Sequence, residues 1–427
     1  MQFSSNLVNS LEAYKKAPKK LNYGTAGFRD KWNILHAILN RMGVLASMRS
    51  LSLNGSFVGL MITASHNEES DNGVKLVDPN GGMLDPKWEP YAEEIANANN
   101  SHEILCCLTA IIEKESIGGS VLAKVIIGRD TRPHSKELSE CAIRGITGFG
   151  AEVYDLGEVT TPQLHFAVQS SNQLNSPSIN IPETLETYYS TLAMGFISLL
   201  STVSVVDTIQ PVSIIIDAAG GVGALSAQHM SLAVQQLAPT TLTVEVRNAI
   251  GSIPVNQRCG AEYVQKSQQL PSGIDMIEDR DRLLCSYDGD ADRIVFHSIL
   301  PTPSRESEKN VYSWVLIDGD KIATLFAVFL QEELLAARIP CQFAFTLGVV
   351  QTAYANGAST RFLQSHGIQT CLAKTGVKHL HPKAEQFDVG VYFEANGHGT
   401  VLFSEKMRHY LTHWERDRDR DITRECE

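Results

Sequence analysis

Positions 58–62 read VGLMI and run directly into TASHN at positions 63–67. Five apolar residues followed at once by polar ones predict a buried strand that ends in a polar turn. The turn sets the hydroxyl of Ser65 beside the imidazole of His66 at the end of that strand. A hydroxyl delivered in this way suits nucleophilic chemistry, although a solvated turn serine would give the same short pattern.

A second polar segment, DGDADR at positions 288–293, lies between two further apolar runs. It spaces three carboxylates at i, i+2 and i+4, which predicts a site for a hard cation such as Mg²⁺. An EF-hand also carries acids at this spacing, but Arg293 stands where that loop needs glycine and Ile299 where it needs glutamate. A charged turn between strands is the other interpretation. A serine nucleophile together with a magnesium-type cluster favours phosphoryl transfer.

Bulk composition describes an ordinary globular protein. The 427 residues suffice for two to four domains, and 43% hydrophobic with 20% charged residues allow a substantial core. A net charge of −12 argues against nucleic acid or an anionic membrane as the main partner. The eight cysteines include no CxxC pair, so we expect reduced thiols, no zinc framework and a cytoplasmic location.

Strand-like apolar runs alternate with helical patterns, which indicates α/β domains. Boundaries are expected near residues 180 and 300, with a charged, disordered tail at 406–427. The uncharged stretch 187–206 is rich in Ser and Thr, so it favours a buried helix over a membrane span. The pattern predicts strands at 125–127, 151–156, 214–216 and 241–246, and helices at 135–146 and 321–335.

Nucleotide-binding motifs are poorly matched. The glycine-rich turn at 220–223 has Ser226 where a dinucleotide fingerprint needs its third glycine, and no Walker A string occurs. Two later segments suit a sugar instead, TGVKHLH at 375–381 and EANGH at 394–398. A carboxylate and a carboxamide at the end of a strand bind vicinal hydroxyls through paired hydrogen bonds.

Taken together, these segments resemble the α-D-phosphohexomutases. The resemblance extends over about residues 10–405 and includes, in order, NYGTAGFR at 22–29, TASHN, NGVK at 72–75, DGDADR and EANGH. Within that superfamily the short TASHN loop, TGVKHLH and FEANGHGT are most similar to the eukaryotic phosphoacetylglucosamine mutases. The resemblance implies three consecutive α/β domains around a central cleft, at residues 1–180, 181–300 and 301–405.

The resemblance also implies a mechanism. Ser65 would carry a phosphoryl group, and Mg²⁺ would bind that phosphate together with Asp288, Asp290 and Asp292. The enzyme would interconvert N-acetylglucosamine 6-phosphate and N-acetylglucosamine 1-phosphate through a bisphosphate, on the way to UDP-N-acetylglucosamine. N-acetylglucosamine 1,6-bisphosphate or a related bisphosphate sugar would be the activator. Small sugar phosphates are the expected partners, nucleic acid and membranes are not, and the oligomeric state is left open.

Further roles follow from the same resemblance. Arg29, His66 and Lys75 are candidates for proton transfer and phosphate neutralisation, and Arg293 for offsetting charge on the transferring group. The sugar is expected to contact Thr375, Gly376, Lys378, His379, Glu394, Asn396 and His398.

One part of the family pattern is not found. The superfamily has a fourth, C-terminal domain with an RxSGTE-type loop that binds the phosphate not being transferred, and we expect this chain to lack it. Two alternatives therefore stay open. Beside the mutase acting on N-acetylglucosamine phosphates, the chain could be a truncated, catalytically impaired sugar-phosphate-binding remnant, or a phosphohexomutase for glucose or mannose phosphates.

Overall fold

The computed structural model describes residues 3–25, 27–118, 121–174, 178–202, 211–302, 312–337 and 345–413. Strands and helices alternate over most of this length, so the expected α/β class is confirmed. The strands are β1 Phe28–Lys31, β2 Phe57–Ile62, β3 Asp71–Val77, β4 Lys124–Arg129, β5 Glu152–Glu158, β6 Val212–Asp217, β7 Leu242–Arg247, β8 Leu283–Tyr287, β9 Ile294–Pro301, β10 Tyr312–Ile317, β11 Leu347–Thr352, β12 Gln369–Ala373, β13 Val389–Phe393 and β14 Gly399–Phe403.

The helices are α1 Ser5–Glu12, α2 His36–Ser52, α3 Glu89–Asn97, α4 Ser101–Lys114, α5 Ser135–Phe149, α6 Thr161–Gln173, α7 Ile181–Thr202, α8 Gly223–Leu237, α9 Ala261–Ser267, α10 Gly319–Ala336, α11 Gly357–Ser365 and α12 Val377–Ala384. Residues 405–413 are also helical and are called α13. The chain divides into two compact units, the first Met1–Asp292 with Ser298–Trp314 and the second Arg293–His297 with Val315–Glu427.

The first sheet has the strand order β1-β3-β2-β4-β5. Strands β2, β4 and β5 are parallel, whereas β3 is antiparallel to both β1 and β2. Every residue of β2 is buried. Alternate residues of this strand enter two separate hydrophobic cores, with Val58, Leu60 and Ile62 in one and Phe57 and Met61 in the other. Burial on both faces explains why the strand is continuously apolar rather than alternating.

The second sheet has the order β10-β9-β8-β6-β7. Strand β6 is parallel to both β7 and β8. The apolar runs on either side of DGDADR form strands β8 and β9, and residues 288–293 between them are called the acidic loop. Strand β10 joins this sheet although it follows the boundary expected near residue 300.

The third sheet belongs to the second unit and has the order β12-β11-β13-β14. Strands β11, β12 and β13 are parallel, and β14 returns antiparallel to β13. The carboxyl ends of parallel strands meet at one edge of a sheet, which is where ligands bind in open α/β folds. The loops that follow β12 and β13 therefore lie at the same edge.

Helix α7 departs from the sequence prediction. Only Ala193 is buried in this helix, and the large side chains of Leu192, Met194 and Leu199 are exposed. The prediction of a buried helix was wrong because the packing of α7 against α6 and α8 leaves most of its side chains at least partly exposed. Within the described residues, no helix is both long and apolar enough to cross a membrane.

The expected disordered tail begins with a helix. Residues 405–413 form α13, and Met407 is buried. The remainder of that prediction, residues 414–427, lies outside the described residues.

Candidate active site

The side chain of Ser65 is fully buried at the carboxyl end of β2. Its hydroxyl donates a hydrogen bond to Asp288 Oδ2 at 2.7 Å and lies 3.4 Å from Asp292 Oδ1. Its backbone N–H donates to Thr63 Oγ1 at 2.9 Å. The backbone takes φ +52°, a left-handed conformation that is uncommon for a residue other than glycine. The structure thus contradicts the interpretation of Ser65 as a solvated turn serine.

The three carboxylates of the acidic loop converge. Ligand oxygens of Asp288, Asp290 and Asp292 lie within 4.8 Å of one another. The loop curls because Asp292 N–H donates to Asp288 Oδ1 at 3.1 Å and Ala291 adopts φ +53°. Gly289 packs so closely on residues 63–67, called the serine loop, that a Cβ there would lie 2.7 Å from the Ser65 carbonyl oxygen.

Lys75 joins the acidic loop from strand β3. Its Nζ lies 3.2 Å from Asp290 Oδ2 and 3.1 Å from Asp292 Oδ2, with the lysine itself buried. Burial alone would lower the pKa of Lys75, but the charges of Asp290 and Asp292 outweigh it, and the pKa lies above its ordinary value. Lys75 is therefore a cation held against two acids.

Thr161, which the sequence did not single out, also binds Asp290. Thr161, the first residue of α6, donates its hydroxyl to Asp290 Oδ2 at 2.7 Å and its N–H to the Asp290 carbonyl at 3.1 Å. The capping box formed by Thr160 and Gln163 fixes this helix start. A strand followed by Thr-Thr-Pro at a helix start is the signal that marks this position in the sequence.

The donor set fits Mg²⁺. Asp290 Oδ2 accepts from Lys75 and Thr161, whereas Asp290 Oδ1 is buried without a hydrogen-bond partner among the described residues. Burying an unsatisfied carboxylate oxygen is costly, and a hard cation satisfies it. Burial and the Asp292 charge raise the pKa of Asp290, but Lys75, Thr161 and Arg29 outweigh both, so the pKa lies below its ordinary value and favours the ionised ligand.

The remaining first-unit candidates lie close by. Arg29 pairs with Gly73 across β1 and β3, and its charge contributes to lowering the pKa of Asp290. His66 follows Ser65 directly and is half-buried. The structure thus places Lys75 in contact with the acidic loop and Arg29 near enough for its charge to act on Asp290.

The second unit places its candidates on two loops. The 375 loop (residues 375–381) follows β12 and opens α12, and the 394 loop (residues 394–398) follows β13. Glu394 Oε1 accepts from Gly376 N–H at 2.9 Å, which ties the two loops together. Arg293, the last residue of DGDADR, is the first residue of this unit.

The 394 loop is a tight turn. The N–H of Glu394 donates to the His398 carbonyl at 2.8 Å, and the N–H of His398 donates to Asn396 Oδ1 at 3.2 Å. Gly397 has φ +86°, and a Cβ there would lie 2.0 Å from the Ile294 carbonyl oxygen, so only glycine fits. Seven predicted sugar contacts lie on these two loops, and all but Gly376 are at least partly exposed: Thr375, Gly376, Lys378, His379, Glu394, Asn396 and His398.

Comparison with known proteins identifies relatives over nearly the whole chain. Family models match phosphoglucomutase/phosphomannomutase, alpha/beta/alpha domain I, at residues 43–103 and 106–179. They also match phosphoacetylglucosamine mutase AMG1, domain II, at residues 180–295 and domain III at residues 318–425.

Phosphoacetylglucosamine mutase of Arabidopsis thaliana is 42% identical over 93% of this chain and 70% of its own length. The human protein is 44% identical over 90% of this chain. This chain spans 66% of the human protein's length.

Solved structures of related mutases are also similar to this chain over nearly its whole length. N-acetylglucosamine-phosphate mutase in a product complex is similar at a TM-score of 0.84 and 37% identity, over 97% of this chain and 74% of that one. Aspergillus fumigatus N-acetylphosphoglucosamine mutase bound to GlcNAc-6P and magnesium is similar at a TM-score of 0.83 and 36% identity, over 96% of this chain and 73% of that one. A serine-to-alanine variant of the same fungal enzyme has been seen in complex with glucose 1,6-bisphosphate.

Proposed function

Because this chain belongs to the phosphoacetylglucosamine mutase family, we propose that it interconverts N-acetylglucosamine 6-phosphate and N-acetylglucosamine 1-phosphate through a phosphoserine at Ser65. One observation carries the proposal. The Ser65 hydroxyl is buried 2.7 Å from the carboxylate of Asp288, within a cluster of three acids that Lys75 joins. Such a constellation serves phosphoryl transfer, in which catalysis is mostly positioning and electrostatic stabilisation.

The proposed reaction moves one phosphoryl group in each direction. Phosphorylated Ser65 gives its phosphoryl group to a hydroxyl of the sugar monophosphate: the P–O bond to Ser65 breaks, the sugar hydroxyl loses its proton to His66, and His66 returns a proton to the Ser65 oxygen. The resulting bisphosphate turns round. The Ser65 hydroxyl then attacks the other phosphoryl group, the P–O bond to the sugar breaks, and the Ser65 proton passes through His66 to the sugar oxygen that leaves. Arg29 and Lys75 offset the negative charge of the transferring group, and Arg293 is assigned the same role.

Asp288, Asp290, Asp292 and the phosphate carried by Ser65 would together hold Mg²⁺. When bound, it neutralises charge on the transferring phosphoryl group. The unpartnered Asp290 Oδ1 supports this assignment. A bisphosphate sugar is the proposed activator, since it can phosphorylate Ser65 directly.

The 375 and 394 loops are assigned to sugar recognition. Glu394 and Asn396 present the acceptor oxygens that pair with sugar hydroxyls, and Lys378 and His379 present donors for phosphate or the acetamido group. We also propose that the chain forms three α/β domains, serves UDP-N-acetylglucosamine synthesis and is located in the cytoplasm.

Intact mass spectrometry tests the nucleophile. The purified chain is incubated with Mg²⁺ and glucose 1,6-bisphosphate, with the Ser65→Ala variant as the control. We expect one added phosphate on the wild type and none on the variant. The absence of an adduct on a folded wild-type sample would contradict the proposal.

Phosphorus NMR then tests turnover. Conversion of N-acetylglucosamine 6-phosphate to the 1-phosphate faster than that of the glucose and mannose phosphates is expected. A preference for glucose or mannose phosphate would assign the chain to another phosphohexomutase. Phosphorylation of Ser65 without turnover would instead identify a sugar-phosphate-binding protein.

A further inference from the structure

Two side chains outside the acidic loop hold the backbone of the serine loop. The carbonyl oxygen of Ser65 accepts from Arg132 Nη2 at 3.2 Å and from Asn256 Nδ2 at 2.8 Å. The carbonyl oxygen of Asn67 accepts from the same two nitrogens, at 2.8 and 2.9 Å respectively. Each NH₂ group has two hydrogens, so each spans both carbonyls.

Arg132 is itself fixed in place. It is buried and forms an ion pair with the buried Asp130. Asp130 Oδ1 also accepts from the Ser135 hydroxyl at 2.5 Å and from the Arg132 N–H at 3.1 Å. A planar guanidinium anchored on one edge presents its remaining N–H groups in a fixed direction.

Asn256 reaches the same carbonyls from a separate part of the first unit. It lies in the loop between β7 and α9, adopts φ +61°, and donates its backbone N–H to the Ala219 carbonyl at 2.8 Å. The two donors therefore come from segments more than 120 residues apart and converge on one loop.

The serine loop needs such support because Ser65 is in the left-handed region at φ +52°. A non-glycine residue keeps that conformation only where its surroundings impose it. Rotation of Ser65 towards ordinary φ values would move its hydroxyl away from Asp288 Oδ2, 2.7 Å distant.

We propose that Arg132 and Asn256 are positioning residues that hold Ser65 in its left-handed conformation and so aim its hydroxyl at the acidic loop. This inference rests on the proposed function of Ser65 as the phosphoryl carrier. Arg132, within GRDTR at 128–132, and Asn256 therefore act on the rate of phosphoryl transfer. They do not bind the sugar.

The experiment compares Asn256→Ala and Arg132→Lys with two matched controls. Asn97 also donates its amide to two backbone carbonyls, those of Leu21 and Glu93. Arg41 is also buried and donates to backbone carbonyls, at the end of α3. The controls are therefore Asn97→Ala and Arg41→Lys, which remove similar bonds to carbonyls that lie outside residues 63–67.

Two readouts are taken. Hydrogen exchange of the backbone amides at 63–67 in Mg²⁺-free protein reports loop opening without any catalysis. The rate of Ser65 phosphorylation by glucose 1,6-bisphosphate reports function. We expect about tenfold faster exchange at 63–67 in the test variants, and a rate at saturating bisphosphate about 10- to 100-fold lower, with the half-saturating concentration unchanged.

The outcomes separate the two proposals. Unchanged exchange and rate in both test variants, or equal changes in the controls, would overturn the positioning role. If wild-type Ser65 takes no phosphate, the proposed function fails, whereas the exchange data still decide whether Arg132 and Asn256 hold the loop. Arg132→Lys keeps the charge facing Asp130, so it provides the test if Asn256→Ala does not fold.

Discussion

The serine loop of the first unit and the 394 loop of the second unit are built differently. Ser65, Lys75 and Asp290 are almost completely buried. The Ser65 hydroxyl donates to Asp288 of the acidic loop, and Lys75 forms an ion pair with Asp290 of the same loop. Glu394 and Asn396 are partly exposed and bonded mainly to backbone within their own pair of loops. Buried charges fix a single geometry, as phosphoryl transfer requires, whereas exposed acceptors remain available to a ligand.

The largest effect is expected where buried charges depend on each other. Lys75→Met removes the cation that contacts Asp290 and Asp292, and breaking a buried ion pair from one side costs about 3–5 kcal/mol. Urea denaturation of the whole chain measures this loss of unfolding free energy. Lys31→Met removes an exposed partner of Asp71 and serves as the control, for which no change is expected. Equal stability of Lys75→Met and wild type would show that the cluster does not rely on Lys75.

The second unit contains a buried basic side chain, His297, whose pKa is lowered, whereas the pKa of Lys75 in the first unit is raised. His297 is 1% exposed, and burial lowers its pKa to about 4. The folded state therefore keeps the imidazole neutral, while the unfolded chain takes up a proton below its ordinary pKa of about 6.5. The contribution of His297 to the free energy of unfolding is fully present above about pH 6.5 and is lost as the pH falls towards 4.

The unfolding free energy should therefore fall by about 2 kcal/mol between pH 7.5 and pH 5 through His297 alone. His297→Gln should remove this part of the pH dependence, and His409→Gln, an exposed control, should keep it. Urea denaturation at the two pH values measures both. A pH dependence that persists unchanged in His297→Gln would contradict the assignment.

These contrasts show what the sequence can predict. The run at 58–62 identified β2 because both faces of that strand are buried, and three acids at alternate positions identified their own cluster because the spacing is local. Thr161 was missed because it bonds to Asp290 from 129 residues away.

Two other features had no local signal. Nothing in TASHN indicates a left-handed Ser65, because the conformation depends on Arg132 and Asn256 in distant segments. The exposure of α7 was missed because an uncharged stretch does not reveal how many neighbours cover it.

A smaller effect isolates the backbone conformation of Ser65. Ser65→Ala and Ser65→Gly both lose the hydrogen bond to Asp288, but only glycine adopts φ +52° without a steric cost. We expect Ser65→Gly to be more stable than Ser65→Ala by about 1 kcal/mol. Thermal unfolding monitored by circular dichroism measures the difference. If alanine proves the more stable, the left-handed conformation is not a source of strain.

The smallest effect on stability is expected at the 394 loop. Glu394→Gln keeps an oxygen that accepts from Gly376 N–H and removes only a charge on a partly exposed side chain. The unfolding free energy should change by less than about 0.5 kcal/mol. The KM for N-acetylglucosamine 6-phosphate should nevertheless rise about tenfold, since an amide replaces a charge-assisted acceptor for sugar hydroxyls.

Steady-state kinetics and urea denaturation of the same sample check this pair of expectations. Glu385→Gln, an exposed acid on the same unit, is the control for a general effect of charge. An unchanged KM would remove Glu394 from the sugar site. A large loss of stability would mean that the loop relies on its charge as strongly as the serine loop does, and the contrast between the two regions would disappear.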